Sequence, residues 1–150
     1  MLKLSIELVP SESWSKSLKR LARPSSWNKL RQKVYAEYNN KCGICIAEGR
    51  LNCHEVWQYD DQNHVQRLVG FIALCDLCHS VKHIGRTELL PPTPKDYYEM
   101  AVEHFMRVNE CDRSVFDRHK KEAFVKWHER SRHEWKIDFG EYQDMFRRAE

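Results

Sequence analysis

Apolar residues at positions 2, 4, 6 and 8 alternate with polar ones as far as Pro10, the period of a half-buried strand. Ser26 can then cap a helix on which Trp27, Leu30, Val34, Tyr35 and Tyr38 share a face. Two short apolar runs, "LNCHEVW" and "LVGFIALC", read as strands separated by the polar, exposed loop "QYDDQNHVQR". A helix beginning near Cys78 would carry His79 and His83 four residues apart on one side. The prolines of "ELLPPTPKDYY" forbid a continuous helix and mark a boundary. Beyond it, Thr93 as cap, Pro94 in the first turn and Asp96 open a helix that turns Tyr97, Met100, Ala101, His104, Phe105 and Val108 inward. Ser114 and Asp117 open a second, carrying Phe116, Ala123, Phe124 and Trp127, so the two form a helical hairpin. Trp135, Ile137 and Phe139 alternate again, as a strand expected to pair with residues 2–9. The chain is therefore expected to be α+β, in three stretches: an N-terminal strand and basic helical segment (1–41), a cysteine- and histidine-rich core (42–86), and a C-terminal helical hairpin and tail (87–150). One compact domain is expected to hold all three.

At 150 residues such a chain buries about two-thirds of its unfolded surface, so a bound metal would add to a core and not replace one. No apolar run approaches the ~20 residues of a membrane span, and Lys3 and Glu7 interrupt the first ten residues, unlike a signal peptide. A soluble, cytoplasmic protein without a membrane partner is expected. The net charge of +3 is unevenly spread: residues 1–41 hold nine Lys/Arg against three Glu, which leaves −3 for the remainder. Lys16, Lys19, Arg20, Arg23, Lys29, Arg31 and Lys33 could contact a nucleic-acid backbone, with a solvated helix face as the plainer alternative.

The six cysteines change the picture further. Without a secretion signal, two Cys-x-x-Cys pairs point to metal thiolates in preference to disulfides. Cys42, Cys45, Cys75 and Cys78 supply four sulfurs in two knuckles, the donor set and number of a tetrahedral structural zinc. Cys53 and Cys111 fall outside the pattern and are expected in the core, Cys111 also near a helix start.

The frame "CGICIAEGRLNCHEVW" followed by "GFIALCDLCHSVKH" resembles the HNH, or ββα-metal, endonucleases in their zinc-knuckle form, over residues 42–83. The resemblance implies a treble-clef/ββα-metal core and a second divalent metal, Mg2+, Mn2+, Ni2+ or Zn2+, held by His54, His79 and His83. It implies that this metal polarises a scissile DNA phosphate while the residue after His54 activates water. The chain departs from the family at two positions: Glu55 stands where the family has its base histidine, and Gly70 where it has asparagine. Glu55 is then either the base or an additional ligand, and Asn63 or His64 could fold back in place of the asparagine. Asp60 and Asp61 are further loop acids, with solvation the plainer reading, and Trp57 and Tyr59 follow as core or stacking residues. His104, His119, His128 and His133 have no partner motif and read as packing or surface residues.

Two function classes follow. One is a metal-dependent endonuclease, with His54 and Glu55 catalytic and DNA as partner. The other is a catalytically silent HNH-like zinc protein that binds DNA or a protein, in the defence or mobile-element settings where the family occurs. A homodimer is compatible with either.

Overall fold

The computed structural model of the protein describes residues 1–11, 22–91 and 96–145. The architecture is α+β, with a three-stranded sheet in the order β1-β2-β3 and five α-helices among the described residues. Helix α1 (Pro24–Glu37) delivers the chain to the first cysteine knuckle. Strands β1 (Leu51–Asp60) and β2 (Val65–Cys75) form an antiparallel hairpin that runs directly into α2 (Asp76–Lys82) and α3 (Ile84–Glu88). Helices α4 (Tyr97–Asn109) and α5 (Arg113–Arg130) make the expected pair. Strand β3 (Lys136–Asp138) and a 3₁₀ helix (Gly140–Met145) follow.

The hairpin is longer than its apolar runs, because polar Gln58, Tyr59 and Asp60 stay in the ladder opposite Arg67, Gln66 and Val65. Backbone pairing needs no apolar side chain, so most of the expected loop is strand. Only residues 61–64 turn. The Asp60 carboxylate closes that turn by accepting from the Gln62 and Asn63 amides and from the Asn63 side chain. Register slips between Val56 and Trp57, which leaves Val69 unopposed beside Gly70.

Three sequence expectations are corrected. Residues 2–9 form no strand. Three of their amides are taken by side chains, Asn109 Oδ1 accepting from Lys3 and Leu4 and His119 Nε2 from Ile6, and that of Glu7 by the Lys82 carbonyl. Trp127 Nε1 donates to the Val9 carbonyl. The alternation of Leu4 and Ile6 still buries both, at 0% and 6% exposure, so the pattern reported burial and not pairing. Accordingly β3 pairs in parallel with Val65–Arg67 of β2 and not with the N-terminus. The helix starts also differ. Pro24 opens α1 behind an Arg23 cap, Asp96 caps α4 by accepting from Glu99 N, and Asp112 caps α5 by accepting from Val115 N. Thr93 and Pro94 lie outside the described residues.

The main core draws on all three stretches of the chain: Leu4 and Ile6, then Leu74, Val81 and Ile84, then Ala101, Val102, Phe105 and Phe116. The opposite face of the sheet is covered by a smaller cluster in which Leu68, Trp57 and Phe71 meet Ala22, Trp27 and Leu30 of the α1 region and Tyr142 of the 3₁₀ helix. Both faces are thus partly filled, while β1 sits at the margin of the sheet. No helix among the described residues is long and apolar enough to cross a membrane.

Candidate metal centres

The four knuckle cysteines converge, with all their sulfurs within 4.8 Å of one another. Gly43 makes this possible. A Cβ there would lie 2.7 Å from the Tyr38 ring and 2.9 Å from Ile72, and the bare backbone instead donates Gly43 N to the Ala73 carbonyl at 2.8 Å. On the second knuckle Cys75 caps α2, its sulfur accepting from Cys78 N. Cys45 and Cys75 sulfurs are 3.6 Å apart, close to the about 3.8 Å that a tetrahedral ion with 2.3 Å Zn–S bonds imposes. Hydrogen bonds from the Cys75 and Cys78 thiols hold the Cys42 thiol well below its usual range, whereas Cys75 is pushed up to about 11 and Cys78 also upward. A divalent cation would take the place of the retained protons. The donor set fits a structural metal ion.

His104, read from sequence as a packing residue, belongs to this cluster. Its Nε2 lies 3.1 Å from the Cys78 sulfur, while Arg107 approaches its Nδ1 at 3.3 Å. Arg107 can only donate, so His104 keeps its proton on Nε2 and directs it at the sulfur. Burial, and after it Arg107, lower the His104 pKa, which favours this neutral form.

The second cluster is formed by His54 of β1, His79 of α2 and His83, which terminates α2. Their donor atoms also lie within 4.8 Å of one another, with ring centroids 4.6–5.6 Å apart. The expected single helix breaks at His83, but His83 N still donates to the His79 carbonyl, and this turn keeps the two rings on one side. Burial first, and then the neighbouring histidines and Arg86, bring His79 down to about 4 and His83 to about 3. Both are neutral at pH 7 and hold lone pairs, as metal ligands must.

Glu7 is the neighbour that sequence reasoning missed. Its Oε2 is 3.1 Å from His54 Nε2, and its Oε1 accepts from Lys82 Nζ at 2.7 Å. Burial opposes its charge, but the hydrogen bonds from His54 and Lys82 outweigh it and draw the carboxyl down to about 2. The signal was hidden because Glu7 occupies a polar place in an apparent strand forty-seven residues from His54.

These histidines line a cavity of about 490 Å3, together with Glu7, Glu55, Arg86, Lys126 and Arg130. Neighbouring residues of a strand point to opposite faces, yet His54 and Glu55 both reach the cavity, which wraps the outer margin of β1 between the N-terminal segment and α5. Trp57 and Tyr59 line it as well, with Arg130 4.0 Å above the Tyr59 ring. Cys53 is another lining residue, its thiol pushed up to about 12 by burial and by Glu55, hence unreactive. Cys111 packs against the main core just before the Asp112 cap, as expected.

Other expected participants are elsewhere. Asn63 is committed to Asp60, and Asp61 pairs with Arg130 through both oxygens at 2.8 and 2.9 Å. His64 stacks on His133 at 4.1 Å. At about 3.3 Å per residue the hairpin tip lies some 20 Å from His54, so neither Asn63 nor His64 substitutes for the missing asparagine. Of the basic N-terminal residues, Arg23, Lys29, Arg31 and Lys33 do not line the cavity, and Lys16, Lys19 and Arg20 lie outside the described residues. His119 accepts from Ile6 N and His128 meets Trp127, both structural contacts. No family model, curated protein or solved structure matches the chain.

Proposed function

We propose that the protein is a metal-dependent endonuclease of the HNH type that hydrolyses DNA phosphodiester bonds. One observation carries the reading: three imidazoles from β1 and the α2 turn converge on the wall of a cavity that also presents Glu55 and three cationic side chains. His54, His79 and His83 would hold a divalent ion and leave coordination positions for solvent and phosphate. When bound, such an ion supplies Lewis-acid polarisation of the phosphate and charge neutralisation at the leaving oxygen. The chain's own groups do the rest. Glu55 takes the proton from the attacking water. Arg86 and Lys126 bind non-bridging oxygens of the DNA strand, while Arg130, held by Asp61 and stacked on Tyr59, maintains the cavity wall. The four-thiolate cluster, remote from solvent at Cys42 and Cys78, fixes the second knuckle and so the helix bearing His79.

A second reading, a silent HNH-like module that binds DNA or a protein, is favoured by Gly70. No described residue lies within 4 Å of the position its side chain would occupy, and glycine itself brings no group to orient the site. Supercoiled-plasmid cleavage across magnesium, manganese, nickel and zinc, with His54→Ala alongside, separates the readings. Metal-dependent cleavage lost in the variant is expected. A folded, metal-loaded protein that cuts with none of the four ions is the silent module.

A further inference from the structure

We propose that Glu7 is the positioning residue of the three-histidine site: it holds His54 as the Nε2–H tautomer and leaves Nδ1 as the nitrogen that faces a metal. The inference rests on reading those histidines as a metal site, and the N-terminal segment becomes part of that site.

Three contacts fix Glu7. Its Oε1 accepts from Lys82 Nζ at 2.7 Å, its own amide donates to the Lys82 carbonyl at 3.1 Å, and its Oε2 meets His54 Nε2 at 3.1 Å. Lys82 is 5% exposed and the adjacent Ile6 is buried, so the core fixes the ammonium and the backbone at residue 7, and the two contacts hold a Glu7 side chain that is itself 45% exposed. The ion pair with Lys82 keeps the carboxylate an acceptor, and the shared hydrogen therefore belongs to His54 Nε2. One ring nitrogen cannot give both a hydrogen to Glu7 and a lone pair to an ion, so Nδ1 carries the lone pair. Glu7 itself is not a member of the set of donors that lie within 4.8 Å of one another. It acts through His54: it fixes the ring's orientation and tautomer, as a carboxylate behind a ligating imidazole does.

A merely structural Glu7, serving only to neutralise Lys82, would leave the tautomer of His54 unspecified. Long-range 1H–15N correlation of the histidine rings in labelled full-length protein reads it directly. The expected result, before any ion is added to the three-histidine site, is a protonated Nε2 and an unprotonated Nδ1 on His54. With 113Cd2+ the metal coupling should appear at Nδ1. A protonated Nδ1, or coupling at Nε2, overturns the proposal. In Glu7→Gln the affinity for the second ion should fall about 10–100-fold while the four-thiolate ion stays bound, and excess metal should restore cleavage. Unchanged affinity also overturns it. Should Glu7→Gln fail to fold around an unpaired Lys82, the double variant Glu7→Gln/Lys82→Met removes both charges at similar volume and takes the same measurements. A protein that binds no second ion at all refutes the metal-site reading, yet the metal-free tautomer still decides the role of Glu7.

Discussion

The two clusters use the same donor-gathering geometry and differ in what surrounds them. The thiol cluster leans on the core: Cys42 and Cys78 are buried at 2% and 0% exposure, Cys45 and Cys75 are partly exposed, His104 directs a hydrogen at the Cys78 sulfur, and Leu74, Val81 and Phe105 belong to the same packed cluster. The three imidazoles are equally convergent but form a wall of a cavity, backed by Glu7 and faced by Glu55, Arg86 and Lys126. Four donors complete a tetrahedral shell and suit an ion that holds a fold together. Three donors beside a cavity suit an ion that meets a ligand. On the proposed reading, the difference gives structure to one site and chemistry to the other.

The largest expected effect breaks the comparison at the thiol side. Cys78→Ser places a weaker ligand at 0% exposure and removes the sulfur to which His104 donates. Structural zinc contributes about 10–16 kcal/mol in small domains, comparable to the whole 5–15 kcal/mol stability of a typical protein. Circular dichroism should show loss of the cooperative thermal transition, and chelation of wild type should do the same. A native-like melt after either treatment means that the helical core alone carries the fold.

On the histidine side the fold should survive. His79→Ala is expected to lower metal content from two ions to one, measured by elemental analysis of the folded protein, and to lower cleavage at least about a hundredfold, given the several kcal/mol a catalytic ion contributes. Its melting temperature should stay close to wild type without added metal. An unchanged stoichiometry would remove the second site.

These opposite responses follow from features that were unequally legible in the sequence. The thiol cluster was fully written in its doubled spacing, because a knuckle is a local turn and its chemistry is carried by residue type. The histidine triad was legible through the register of strand, knuckle and helix turn, which local structure also fixes. What escaped is long-range: Glu7 reaches His54, and His104 reaches the Cys78 sulfur, through packing between elements that no spacing encodes. The alternation at residues 2–8 misled for the same reason. It records burial on one side of an extended segment, whereas strand identity depends on where the amides find partners, and here they find Asn109 and His119.

A smaller effect sharpens the comparison inside the open site. Glu55→Ala leaves all three histidines in place, so two ions should remain while kcat falls about 10²–10⁴-fold, the usual contribution of a general base. An unchanged kcat with full metal content removes Glu55 from the mechanism. Loss of the second ion in the same variant instead makes it a ligand.

The smallest effect lies at the end of the sheet remote from both clusters. Gln66 sits on the central strand between Tyr59 and Ile137, at 1% exposure, and its Oε1 has no hydrogen-bond partner among the described residues. An unsatisfied buried carbonyl costs about 1–3 kcal/mol, while Met has nearly the same length and no such group to satisfy. Gln66→Met should therefore raise stability by about 1 kcal/mol and the melting temperature by about 2–4 °C, with both metal contents unchanged. Stabilisation would show that the hairpin tip gains from a drier interior without disturbing either centre. A loss of stability would mean that the Gln66 amide holds the β2–β3 contact, and that polar groups position this end of the sheet as they do the histidine site.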